Sequence, residues 1–578
     1  MEKEKKLHNI RHTLAHLLAA AAGEIYKFDK IKLTLGPAID NGFYYDIDFC
    51  GEKVTDANLQ KIEDRMRKIL PKWTDWEYKE ISEDEALKFF KNEYKAELIN
   101  EIAERGEKIT IYTCGEFTDL CRGGHISNPS KEIRPDSFKL DRVAGAYWRG
   151  DEKNKMLTRI YGLAFETKEE LDAYTKQREE AEKRDHKKLG RELELFMFHE
   201  TAPGMPYWLP KGLILYKELE NYWRKKHAEL GYQEIASPLV NKAELWKISG
   251  HWDHYKEDMF IADMGENEVY GIKPMNCPNA MIVFKSMQVS YKDLPLRLSD
   301  TDRLHRYERS GVLNALLRCR SFQQDDSHNY ITEEMIEDEY LKIMEICKEF
   351  YGIFNLEYKF RLGTRPVGFL GDIETWDKAE KALRSVLEKS DKKYDIAEGD
   401  GAFYGPKIDI IMKDAIGRDW QMGTIQLDFQ QPRRFELEYV DRDGKKKTPV
   451  VIHRVIYGSL ERFIALLIEN YAGAFPLWLS PVQVKVIPVR VNHNEYAKQV
   501  FELLKENNVR AELDDKDGNL GGKVRDAKNN KIPYWIVIGD KEIEAKKVTL
   551  ESRDAGQLGQ ISKEDLVNKL VEEIKSKK

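Results

Sequence analysis

Between Glu166 and Phe196 the chain reads ETKEELDAYTKQREEAEKRDHKKLGRELELF. Most of these residues are charged, strong helix formers, and too few are apolar to build a core. Thr167 with Glu170 three positions on marks a capping box, so the stretch predicts a solvated helix connecting two richer regions. A chain divided by such a connector folds as separate units. Length agrees, because 578 residues exceed what one hydrophobic core usually supports, and two to four domains are expected.

Composition narrows the class. No apolar run approaches the ~20 residues that span a bilayer. MEKEKKLHN is not followed by the apolar core of a signal peptide, so a cytoplasmic protein with no membrane partner is expected. Lys and Arg number 94 against 101 Asp and Glu, net −7, which excludes a histone-like polybasic binder. RNA binding through a local basic face stays open. Six scattered cysteines do not form a disulfide scaffold, leaving metal ligation or reactive thiols.

RHTLAHLLAAAAGEIY has helical apolar spacing, with a helix start at about Ile10, and KLTLGPAIDNGFYYDIDF alternates around Gly-Pro and Asn-Gly turns. After LSPVQ, strand-like VQVKVIPV, helical NEYAKQVFELLKENN, VRAEL, the GGKVRDAKNN segment and PYWIVIG predict βαβ units. No internal repeat or low-complexity stretch interrupts this plan.

Three sets of residues carry chemistry. His12 and His16, four apart on a predicted helix, share one face, while Cys121 and His125 flank two glycines in a predicted loop. Together they suit zinc ligation, a metal-free pocket that positions water, or no joint role. Cys277, His328 and His453 suit a three-ligand zinc site with one open position, or equally a buried thiol and two core histidines. Arg306 and Glu308 have the i, i+2 spacing of one strand face. Arg462 stands where the amphipathic helix ERFIALLIENYAG begins, a favourable place for a phosphate. Neither a P-loop nor a dinucleotide-binding glycine fingerprint is present, so nucleotide binding needs another architecture.

Longer blocks add a resemblance. GYQEIASPLV, RLHRYERSG through LLRCRSFQQDDSH, and YGSLERF resemble the three motifs of class II aminoacyl-tRNA synthetases. KPMNCP, DGAFYGPKIDI, WQMGTIQLDF and VIHRVIYGSLERF are similar to blocks of the bacterial-type threonyl-tRNA synthetases. The resemblance runs over nearly the whole chain. It implies a multi-domain α+β and α/β protein: an editing domain at 1–166, a connecting helix at 167–196, a class II catalytic domain at 197–479 and an anticodon-binding domain at 480–578. The catalytic domain would hold an antiparallel sheet of six to seven strands. The implied activity is ATP-dependent activation of L-threonine, transfer to tRNA(Thr) and hydrolytic editing of seryl-tRNA(Thr), by a homodimer using one Zn2+ per subunit and Mg2+ with ATP.

Residue by residue, the resemblance assigns zinc to Cys277, His328 and His453, and ATP phosphates to Arg306 and Arg462. Glu308 would lie near the adenine or amino group, and Arg318 near the reacting phosphate and carboxylate. Gln324, Asp326, Tyr404, Gln421, Gln426 and Ser459 would shape the threonine pocket, with Lys407 close by. His12, His16, Cys121 and His125 match the editing site, with Lys95 and Asp119 beside them, and the family's metal-free editing favours the water-positioning reading. Two rival readings are a synthetase-like tRNA-binding regulator without catalysis and another class II synthetase. The first does not explain the retained zinc and arginine sets, and the second does not explain this pairing of Cys/His/His with the editing tetrad.

The match also departs from the family pattern. A further ubiquitin-like domain usually precedes the editing domain, and the expectation here is that it is absent. Asn279-Ala280 stand for a usual Gly-His, Asn314-Ala315 for His-Gly, Gln431 for Leu and Met422 for a common Cys. Their clustering predicts a remodelled pocket rim with altered inhibitor sensitivity. Glu551 stands where a basic anticodon-reading residue is usual, and Arg553, two residues on, is expected to share its strand face and substitute.

Overall fold

The structure, a computed structural model, describes residues 2–266, 268–390, 392–414 and 417–577. It divides into two compact units, Met1–Glu179 and Glu180–Lys578.

The first unit is organised by helix Glu2–Tyr26. The helix begins well before Ile10, because the leading EKEKK residues are good helix formers too. Leu14, Ala15, Leu17, Leu18 and Ala19 through Ala22 are all buried. A helix apolar on every side is a core helix, and this one packs on helix Leu59–Ile69 and strand Gly42–Asp48. The sheet runs Lys32–Leu33, Gly42–Asp48, Met156–Ala164, Phe138–Tyr147, antiparallel throughout. The Asn-Gly turn forms as expected, with Asn41 in the left-handed region at φ 62° before Gly42 pairs back to Ile39. Strands Glu77–Glu80, Thr110–Cys114 and Phe117–Leu120 make a smaller sheet.

The charged stretch is helical but broken. Helix Lys168–Arg184 has Leu171 as its buried residue, and Thr167 Oγ accepts from Glu170 N (3.2 Å). The Glu170 carboxylate also accepts from Glu166 N (3.1 Å). Asp185 then caps a new helix, His186–Glu192, by accepting from Lys187 N and Lys188 N.

In the second unit, six antiparallel strands follow in the order Leu296–Asp300, Ser321–Ile331, Val450–Ser459, Asp419–Asp428, Lys407–Lys413, Tyr358–Gly363. This run meets the expected sheet. Short parallel strands, Gln233–Glu234 and Tyr394–Ala397, extend its two edges, and Arg303–His305 adds to one strand end, so the sheet is wider than six to seven strands. Helices Pro210–Glu229, Ile336–Gly352 and Leu460–Asn470 contribute their buried faces to one large core with it. Downstream, Val484–Pro488 pairs in parallel with Ala511–Leu513 and Tyr534–Ile538, with helices Asn494–Glu506 and Leu520–Asn529 as the crossovers. These are the expected βαβ units, closed by the antiparallel pair Lys547–Ser552 and Gly556–Ser562. Among the described residues, no helix is long and apolar enough to cross a membrane.

Candidate active site and a second Cys/His cluster

Sheet register builds the central site. Lys407 faces Gln426, Gln426 faces His453, His453 faces His328, and His328 faces Leu298. Directly opposed residues share a face, so His453 and His328 stand side by side, with ring centroids 5.0 Å apart and planes at 86°. Helix Cys277–Lys285 delivers Cys277 in its first turn. One ligand atom from each of Cys277, His328 and His453 lies within 4.8 Å of the others, and all three residues are buried.

The electrostatics of this trio are unresolved within the chain. Burial, then the charges of Asp326 and Asp428, push the Cys277 thiol well up. Burial, then His453, pulls the His328 imidazole well down, and neither His328 nitrogen has a partner among the described residues. Asp428 holds His453 Nε2 at 2.9 Å. A thiol and two imidazoles, one wholly unpartnered in a buried site, fit a borderline-soft cation such as zinc.

The same trio forms part of the lining of a cavity of about 370 Å³. Arg306, Glu308, Arg318 and Arg462 line it together with Gln324, Asp326, Tyr404, Gln421, Gln426 and Ser459. Arg306 and Glu308 reach it differently from the strand expected, because the strand ends at His305 and both residues occupy the irregular turn that follows. Arg318 donates to the Glu308 carboxylate (3.0 Å). Ser459 caps helix Leu460–Asn470, and Arg462 in its first turn donates to the carbonyls of Leu317 (2.9 Å) and Gln421 (2.7 Å). Asp409 orients Gln421 (2.7 Å), and Tyr404 donates to Gln426. Lys407 lies outside the lining, its ammonium drawn to Asp409 (3.1 Å) and Asp400 (3.4 Å).

Two expectations are not met, one because of burial and one because a strand ends early. Of the supposed rim residues, Met422 lines the cavity, whereas Asn279, Ala280 and Gln431 are buried outside its lining. The remodelling is therefore of packing more than of rim. Arg553 comes after strand Lys547–Ser552 and donates to the carbonyls of Phe475 (3.1 Å) and Lys531 (2.8 Å). Arg553 therefore does not share the strand face of Glu551, which accepts from Trp535 Nε1 (2.9 Å).

The first unit holds the other cluster. Helix Glu2–Tyr26 brings His12 and His16, and the loop with Gly123 (φ 93°) and Gly124 (φ 89°) brings Cys121 and His125. One ligand atom from each of the four lies within 4.8 Å of the rest. Cys121 Sγ contacts His12 Nε2 (3.4 Å) and His125 Nε2 (3.3 Å), and the Nε2 atoms of His16 and His12 are 3.2 Å apart. Asp119 takes His16 Nδ1 (3.1 Å), Tyr45 Oη (2.7 Å) and the buried Lys95 ammonium. Burial opposes charge here, but hydrogen bonds from His12, His125 and His16 bring the Cys121 thiol down to about 3. Burial likewise opposes, and Asp119 and Cys121 overcome it to raise His16 to about 9.

Sequence reasoning missed Asp428 and Tyr45, the partners of His453 and Asp119, and Trp76, which stacks on His125 at 3.8 Å. Asp428 stood in the quoted block WQMGTIQLDF and Tyr45 in the buried strand GFYYDID, but neither block marked which residue it would meet.

Residues 259–471 match the tRNA synthetase class II core domain (G, H, P, S and T), and 483–573 match an anticodon binding domain. Residues 109–161 match the threonyl and alanyl tRNA synthetase second additional domain. The fold is thus that of a class II aminoacyl-tRNA synthetase. The threonine–tRNA ligase of Caldanaerobacter subterraneus subsp. tengcongensis is 51% identical over 100% of this chain and 88% of that protein. That of Acetivibrio thermocellus is 50% identical over 98% and 88%. The chain belongs to the threonine–tRNA ligase family. Among solved structures, the RNA binding domain of threonyl-tRNA synthetase from Cryptosporidium parvum aligns with TM-score 0.65 and 41% identity, over 67% of this chain and 98% of that one. A putative threonyl-tRNA synthetase from Aeropyrum pernix aligns at 0.60 and 28%, over 68% and 96%.

Proposed function

We propose that this chain activates L-threonine with ATP, transfers it from threonyl-adenylate to tRNA(Thr), and hydrolyses seryl-tRNA(Thr) in its first unit. The observation that carries the reading is the convergence of Cys277, His328 and His453 with Arg306, Arg318 and Arg462 around one cavity.

The threonine carboxylate attacks the α-phosphate and pyrophosphate leaves, so negative charge must be stabilised in line. Arg306, Arg318 and Arg462 supply fixed guanidiniums, and Mg2+ accompanies ATP. Cys277, His328 and His453 would hold zinc, which would supply a Lewis acid for the amine and hydroxyl of threonine, whereas valine would offer it only the amine. Gln324, Asp326, Tyr404, Gln421, Gln426 and Ser459 enclose the amino acid. Serine lacks only a methyl, worth roughly 1–3 kcal/mol, so this site passes some serine.

The second cluster answers that leak. His12, His16, Cys121 and His125 position a water against the seryl ester carbonyl, and the ester bond breaks to free serine and the tRNA hydroxyl. Asp119, held by Lys95 and Tyr45, fixes the His16 ring. Residues 1–166 form the editing domain, 167–196 the connector, 197–479 the catalytic domain and 480–578 the anticodon-binding domain. The protein works as a cytoplasmic homodimer.

The test is amino-acid-dependent ATP–pyrophosphate exchange before and after zinc removal. Zinc-dependent exchange with threonine, weaker with serine and none with valine, is expected. No exchange by folded, zinc-loaded protein overturns the activation reading.

A further inference from the structure

We propose that Asp325 is a positioning residue for activation: it closes a break in the central sheet and thereby sets Arg462 toward ATP. The proposal rests on the activation reading above.

Gln324 pairs with Ser459 and Asp326 with Val455, so the single residue Asp325 stands opposite Ile456, Tyr457 and Gly458. Such an irregularity strips backbone N–H groups of their ladder partners. The Asp325 carboxylate, fully buried, takes all three: Ile456 N (3.0 Å), Tyr457 N (3.0 Å) and Gly458 N (3.0 Å). Burial pushes this carboxyl up to about 7, while Arg454 and the three N–H groups favour its charged form.

What the gathered segment does next gives Asp325 its role. Gly458 turns the chain at φ 77°, and a Cβ there would stand 2.0 Å from Met422 O, so the backbone of the neighbouring strand fixes this kink closely. Ser459 follows immediately and caps the helix on Arg462 N (3.3 Å). From the helix side, the buried Glu461 carboxylate returns to accept from Gln323 N (2.9 Å). Two carboxylates thus brace the Gln324–Ser459 pair from both sides, where regular ladder bonds stop. Asp325 touches none of the expected substrates. It acts through the segment that carries Ser459 and Arg462.

The experiment is ATP–pyrophosphate exchange with Asp325→Asn, which replaces one acceptor oxygen by a donor facing N–H groups. Misplacement of a phosphate ligand costs up to about 100-fold, so a rise in the ATP KM of about 10- to 100-fold is expected. The threonine KM should rise by less than the ATP KM, since Ser459 of the amino-acid pocket rides on the same segment, and the zinc content should stay unchanged. If Asp325→Asn gives no folded protein, Asp325→Glu, which keeps the carboxyl group, carries the same comparison, with a smaller rise. A folded variant with wild-type ATP KM, or one that loses ATP and threonine equally, overturns the proposal. Absence of exchange in the wild-type protein instead overturns the activation reading, so the two failures are distinguishable.

Discussion

The chain carries two clusters of one thiol and several imidazoles, and they are opposite in character. In the first unit the groups satisfy one another: Cys121 is brought down to about 3 among three histidines, and His16 is raised to about 9 against Asp119. In the second unit, burial drives the Cys277 thiol well up, and among the described residues both His328 nitrogens lack a partner. A cluster that completes its own hydrogen bonding is a finished polar network, suited to holding a water. A buried cluster that does not complete itself asks for a cation. Similar residues therefore serve different chemistry because their surroundings differ, and that difference can be attacked directly.

The largest expected effect is a double dissociation. Cys277→Ser should abolish zinc binding and reduce threonine-dependent exchange by more than the ~100-fold typical of lost outer-shell partners, while seryl-tRNA hydrolysis continues. Cys121→Ala should do the reverse, leaving exchange within about twofold and stopping hydrolysis. Loss of both activities in either variant would break the distinction between the clusters.

Next in size is Asp428→Asn. The Asp428 carboxylate lies 2.9 Å from His453 Nε2 and also accepts from Gln430 N (2.7 Å) and Gln431 N (3.0 Å). Outer partners of this kind change metal affinity by about 10–100-fold. Competition for zinc with a chelator should show that weakening, and an unchanged affinity would remove Asp428 from the site.

How much of this was legible in the sequence depends on distance along the chain. His12 with His16, and Arg462 at its helix start, follow from local periodicity, and the structure keeps both placements. Register between distant strands does not follow from it. That is why Asp428 and Asp325 stayed hidden, although each lies within three residues of a residue singled out. The Arg306–Glu308 spacing looked like a strand but belongs to the turn after one, since i, i+2 spacing also survives in irregular loops. Asn279, Ala280 and Gln431 were placed at a rim because sequence proximity to Cys277 and the QLDF block says nothing about burial.

A smaller and slower signal comes from thiol alkylation. With its thiol at about 3, Cys121 is thiolate throughout pH 5–8, so its iodoacetamide rate should vary by less than about threefold across that range. The absolute rate should be modest, because a thiolate of low pKa is a weaker nucleophile. Zinc-free Cys277, raised by burial, should remain unlabelled under the same conditions. Peptide mass spectrometry reads both sites at once, and a Cys121 rate climbing tenfold per pH unit would contradict the self-satisfied network.

The smallest expected effect tests whether that network contributes to folding as well as chemistry. Tyr45→Phe deletes the hydroxyl that donates to Asp119 at 2.7 Å and leaves His16 and Lys95 to hold the carboxylate. A hydrogen bond to a charged group contributes about 1.5–3 kcal/mol. For units of this size that corresponds to about 2–4 °C of melting temperature per kcal/mol. The shift should appear in the first unit's transition alone. It should also depend on pH with a definite sign. His16, raised from 6.5 to about 9 in the folded protein, contributes stability that is complete below pH 6.5 and lost as pH rises through about 9. Weakening the Asp119 network should therefore cost most at mildly acidic pH, just below 6.5, and least above pH 9. A pH-independent loss would mean that Tyr45 acts through packing in the sheet, and the polar network would then lose one of its members.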